Sequence, residues 1–179
     1  MDAIIKFFDQ LSSIKYGWYD QNNNLHEDLK GNIFYEQYQM QLPSQIIANN
    51  HAICFDICEL EREFFIKQKI PFVTILALLE NDNKYPCHTF LIFKLNNKYY
   101  WFEASWQDKK AIHQYNDVKS ILLCIKENFH YFTKDKKYNQ KNIAFYCYSK
   151  PKININCQDF FNHCLRPENK IRNYSTILK

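Results

Sequence analysis

The chain has 179 residues, 46% of them hydrophobic and 17% aromatic, which suits one packed domain without disulfide staples. A net charge of +4 from scattered basic residues argues against a nucleic-acid groove, and the densest run (Lys134, Lys136, Lys137, Lys141) reads as a solvated loop. No apolar stretch approaches membrane-spanning length, the opening MDAIIKFFDQLSS lacks the pattern of a secretory leader, and the odd count of seven Cys points to reduced thiols in a cytoplasmic protein.

In chain order, Ile4, Ile5, Phe8, Leu11 and Ile14 recur near a helical period and predict a helix over 2–14. The segment YGWYD enters a turn at Asn22–Asn24. With only 2 Gly in the chain, turns fall to Asn, Asp and Pro, and the Asn clusters at 22–24, 49–50 and 96–97 are the natural places. Alternation in NIFYEQYQM predicts a strand over 32–40, and Pro43 permits a helical turn after it. The best-marked helix is 54–68. Its apolar stripe is Ile57, Leu60, Phe64 and Phe65; Asp56, Glu59, Glu61 and Glu63 load its front and Lys67 and Lys69 its end, matching the helix dipole.

Residues 72–80 form a buried strand and NDNK a turn. A hairpin then pairs 88–95 with 98–105 around Asn96-Asn97. A helix over 117–129, a polar connector at 133–142, a strand at 143–148, a short helix near 157–165 and a frayed tail complete the order.

The chemistry concentrates in Cys54, His88 and Glu103. A two-residue turn at 96–97 sets Phe90 opposite Glu103 and His88 opposite Ser105. His88 and Glu103 then stand as diagonal neighbours on one face, roughly 7–8 Å apart at the backbone. A carboxylate there can hold one ring nitrogen and leave the other for a thiol. A three-residue loop would send Glu103 to the opposite face. Cys54 opens the 54–68 helix, where unpaired amides favour a thiolate and can hold an oxyanion. Asp56 opposes this unless it points away or is paired.

The stretches CFDICELER, HTFLIF and YYWFEASW resemble the transglutaminase-like superfamily of papain-type thiol enzymes, and most closely a bacterial subgroup with that pattern, over residues 40–130. The resemblance implies an α+β fold in which a nucleophile helix packs on an antiparallel sheet. It casts Cys54 as nucleophile, His88 as base and Glu103 as orienting acid. It further implies a cysteine peptidase, amidase or transferase acting on a peptide, protein or small amide, with no metal or organic cofactor. Ala52 stands where the family often has Gly, and Glu103 where the wider superfamily commonly has Asp. Two further readings are a catalytically silent binding module and acetyl transfer of the arylamine N-acetyltransferase type.

Ordinary explanations stand beside these. A single cysteine in an aromatic core is more often a small buried hydrophobe than a nucleophile; only the joint order of the three residues outweighs that. Cys58 is expected inside, Cys87 on the sheet face opposite His88, and Cys124, Cys147, Cys157 and Cys164 as core or surface thiols. A zinc site from Cys54, Cys58, Cys87 and His88 fits tetrahedral spacing poorly. Trp106 and Trp101 are read as walls of a substrate cleft, with core packing as their alternative. His113 and His130 are expected at the surface.

Overall fold

The computed structural model describes residues 1–29, 33–80, 86–132, 138–152 and 154–178. The expected NDNK turn, the start of the polar connector and Lys134, Lys136 and Lys137 lie outside them.

Six helices are described: α1 (Asp2–Ser12), α2 (Ile33–Gln37), α3 (Pro43–Asn49), α4 (Cys54–Lys67), α5 (Val118–Asn128) and α6 (Cys157–Cys164). Short strands β1 (Lys15–Tyr16) and β4 (His51–Ala52) pair in parallel, and β2 (Trp18–Tyr19) pairs antiparallel with β3 (Leu25–His26). The main sheet has five antiparallel strands in the order β8-β7-β6-β5-β9: β5 (Phe72–Leu79), β6 (Cys87–Leu95), β7 (Lys98–Glu103), β8 (Ala111–Tyr115) and β9 (Ile143–Tyr148). The expected α+β class and the antiparallel sheet are both present.

Side-chain alternation divides the sheet into two packed faces. Leu91, Phe93 and Phe102 meet Ile57, Leu60 and Phe65 of α4 on one face. That face continues through Leu76, Tyr146 and Tyr148 to Phe55 and Phe160. Ile75, Phe90, Ile92, Trp101 and Phe145 meet Ile121, Leu122 and Ile125 of α5 on the other. Burial on both faces explains the near-continuous apolar text of β5 and β6.

The β6–β7 hairpin has the expected register, from Leu95↔Lys98 to Leu91↔Phe102. Asn96 and Asn97 both have positive φ, 51° and 58°. A two-residue turn of that kind follows the twist of the strands it joins, and Asn tolerates the left-handed region better than other side chains. Asn23 and Asn50 do the same in the other two clusters.

Four expectations are corrected. Residues 33–37 are helical, not extended: Phe34 turns inward, Tyr38 N–H donates to the Phe34 carbonyl, and Gln39 alone makes a bridge to Asn156. Tertiary packing of the aromatic residues overrides the alternation. Residues 111–115, unassigned from sequence, form edge strand β8. There His113 is half-buried, stacks on Trp101 at 4.8 Å and bonds the Lys109 carbonyl through Nε2 at 2.7 Å, so it is not a free surface residue. The tail is not frayed: Ile171 N–H donates to the Phe145 carbonyl at 2.8 Å, and Ile171, Tyr174, Ile177 and Leu178 pack against the α5-side core. Finally, Asp56, Glu59 and Glu61 of α4 are buried rather than dipole-matching surface groups.

Among the described residues, no helix is long and apolar enough to cross a membrane.

Candidate active site

The structure brings the imidazole and the carboxylate together. His88 Nε2 lies 2.7 Å from Glu103 Oε2, and both residues are buried, 2% and 1% exposed. Their backbones are diagonal across the hairpin, and glutamate's length closes the gap, which a shorter aspartate would not span as easily.

Glu103 is held from all sides. Its Oε1 accepts from Ser105 N–H at 2.9 Å, Ser105 Oγ–H at 3.1 Å and Trp106 N–H at 2.7 Å, while Oε2 also accepts from Trp101 Nε1–H at 3.2 Å. The turn after β7 supplies these amides because the chain folds back immediately at Ala104–Ser105. Burial pushes the Glu103 carboxyl upward, but the His88 charge and hydrogen bond and the two amides outweigh it and hold the pKa below its ordinary value.

For His88 the same contest ends with the proton retained. Burial disfavours the charged ring; the Glu103 charge, hydrogen bonding to Cys54 and to Glu103, and the Cys54 charge together raise its pKa to about 10. Cys54 thus lies near the ring that Glu103 holds through Nε2.

Cys54 is the first residue of α4 and is only partly buried, the most open of the three. Its helix covers the sheet face opposite to His88, and both Cys54 and Cys87 pack against the core cluster around Phe55 and Cys157. Cys54 thus lies near the start of β6. Cys87 falls on the face opposite His88, as expected, and its thiol pKa is raised by burial and by the nearby Cys54. Cys58 is buried as expected.

The helix entry is braced by Asp56, which has no exposed surface. Its Oδ1 accepts from Tyr38 Oη–H at 2.9 Å and Gln41 N–H at 2.8 Å, and its Oδ2 from Ile53 N–H at 3.2 Å. The carboxylate beside Cys54 is therefore paired. Burial still wins over these hydrogen bonds and raises its pKa to about 6.

Trp101 and Trp106 surround the pair instead of facing solvent, 1% and 2% exposed. Trp106 meets the His88 ring edge-on at 5.6 Å, and Phe132 stacks on its face at 4.7 Å. Phe132, Ser105, Tyr38 and Gln41 were not foreseen. Ser105 could have been read from the two-residue spacing after Glu103; Phe132 and Tyr38 carry no local signal.

Further along α4, Arg62 Nε donates to Glu59 Oε2 at 2.9 Å, and its Nη2 bonds Thr74 Oγ1 and the Tyr148 carbonyl. Two cavities, of about 510 and 680 Å³, lie along the C-terminal segment, away from Cys54, His88 and Glu103. Among the described residues, no cluster of three or more His, Cys, Asp or Glu is arranged to hold a metal ion.

No family model, curated protein or solved structure matches this chain.

Proposed function

We propose that this protein is a cysteine-dependent acyl-transfer enzyme with a papain-like, transglutaminase-like core, acting on amide or ester carbonyls. The observation that carries the reading is the 2.7 Å contact between His88 Nε2 and Glu103 Oε2 on a ring that also interacts with Cys54. Cys54, His88 and Glu103 follow one another along the chain in the order the motif leads one to expect.

The chemistry follows from that arrangement. Cys54 has already passed its proton to the charged His88 ring, and its sulfur attacks the acyl carbon as the carbonyl electrons move onto oxygen. First-turn amides of α4, which have no acceptor within the helix, face the developing oxyanion. The intermediate collapses, the carbon–nitrogen or carbon–oxygen bond breaks, and the leaving group takes the proton from His88. Water or an amine then attacks the thioester, with His88 again as base. Glu103 holds the ring orientation throughout and stabilises its charged form. Trp101, Trp106 and Phe132 keep water from the His88–Glu103 pair, which strengthens it.

The test is reactivity of the seven thiols toward a panel of electrophilic acyl probes, read by peptide mass spectrometry. Fast labelling of Cys54 at neutral pH, reduced at least tenfold in His88→Ala, supports the proposal. Equal, slow labelling of all thiols would reject it in favour of the binding-module reading. An acetylated Cys54 after incubation with acetyl-CoA alone would favour acetyl transfer.

A further inference from the structure

Asp56 does not belong to the triad, yet it is more fully buried than any member and sits two residues from the nucleophile. A carboxylate in that place is costly: it is desolvated, and its charge opposes a thiolate at Cys54. Retaining it calls for a compensating role, and its three bonds indicate one. Each comes from a donor, namely the Tyr38 hydroxyl, the Gln41 amide and the Ile53 amide. The first two anchor the carboxylate to the segment between α2 and α3; the third fixes the residue immediately before Cys54.

We propose that Asp56 is a positioning residue for Cys54, a buried clasp that ties the entry of α4 to the Tyr38–Gln41 segment and so aims the sulfur at His88. This deepens the acyl-transfer proposal and rests on it.

The local geometry makes the clasp specific. Ile53 is extended (φ −103°, ψ 176°) and offers no side-chain cap, so helix entry relies on the Asp56 carboxylate reaching back to the Ile53 amide. Ala52, where a more flexible residue could have shaped the entry turn, is 3% exposed and paired in β4, so the chain is held on both sides of residue 53. Tyr38 is wholly buried, and its ring packs against Phe34 and Phe55, so its hydroxyl cannot swing away. A rigid phenol, a rigid backbone amide and one carboxylate thus leave the Cys54 backbone little freedom. Burial raises the carboxyl pKa while the three donors favour the ionised form, which is the balance expected of a group retained for its geometry.

The test is a double-mutant cycle on Cys54 carbamidomethylation by iodoacetamide at pH 7, using folded protein and peptide mass spectrometry. Asp56→Asn keeps the size and the bonds from Tyr38 and Gln41 but turns an amide donor toward Ile53 N–H. We expect Cys54 labelling to slow at least tenfold in Asp56→Asn, and His88→Ala to cost less than twofold in that background. A purely structural role would leave the His88→Ala effect at its wild-type size, and that result would overturn the proposal. If His88→Ala has no effect in wild type, the acyl-transfer reading fails first, and the cycle separates the two failures. Should Asp56→Asn not fold, Tyr38→Phe, which removes one hydroxyl, carries the same readout. About threefold slower labelling and a halved His88 effect are expected there, and wild-type values for both would overturn the proposal.

Discussion

Glu103 and Glu61 are equally hidden, each 1% exposed, yet they hold their protons oppositely. Glu103 has four hydrogen-bond donors from its own strand and turn and an imidazole besides, and its pKa is lowered. Glu61 has Cys58 as a weak partner, no hydrogen-bond partner at Oε2 among the described residues, and Glu103 nearby; burial above all drives its pKa well upward. Burial is common to both, so partners alone decide which carboxyl stays charged. One is built to be an anion beside a cation, the other to be a neutral acid.

The sharpest way to break this comparison is Glu103→Ala. It strips the partner from a buried, charged ring and should cost about 3–5 kcal/mol of folding free energy, measured by urea denaturation. A cost below about 1 kcal/mol would mean the pair is not charged in the folded state.

Next comes pH. His88 has a folded pKa of about 10 against an ordinary 6.5, so its contribution is fully present below pH 6.5 and lost as pH rises toward 10. Stability measured across that interval should decline in wild type, and His88→Phe should flatten that decline.

Glu61→Gln should change stability by less than about 1 kcal/mol at pH 5, because one neutral group replaces another. An acid with a raised folded pKa weakens folding as pH rises above its ordinary value, so this variant should gain on wild type with increasing pH. A large loss at every pH would show that Glu61 is charged and paired.

The smallest effect belongs to the exposed Glu63–Lys67 pair at 2.8 Å. Lys67→Ala should cost no more than about 0.5 kcal/mol by thermal unfolding, which sets the scale for the buried changes.

The residues differ in how far their sequence context foretold these roles. The His88–Glu103 contact was legible because a two-residue Asn turn fixes strand register by counting, and register fixes faces. The α4 helix was legible from its apolar spacing. Its buried acids were not, because Glu and Asp in the first turns of a helix fit a solvated face as well as a buried one. Glu59 is inside because Arg62, Thr74 and the Tyr148 carbonyl form a polar seam there, and Tyr148 lies 86 residues beyond Arg62. Residues 33–38 misled for a related reason: alternating aromatic residues suit a strand, but Phe34 and Tyr38 are four apart and meet on one side of a helical turn. The ordered tail left no periodic trace, since its contacts come from irregular backbone.

The Arg62 seam also has a mechanical consequence. Arg62 stands eight residues from Cys54, about 12 Å along the axis. Its guanidinium moors α4 to β5 and β9 at once, so the helix cannot creep lengthwise over the sheet. A slip of one residue's rise, about 1.5 Å, would shift Cys54 against the start of β6 and break that mooring in the same movement. The placement of Cys54 is therefore governed by an anchor two turns away.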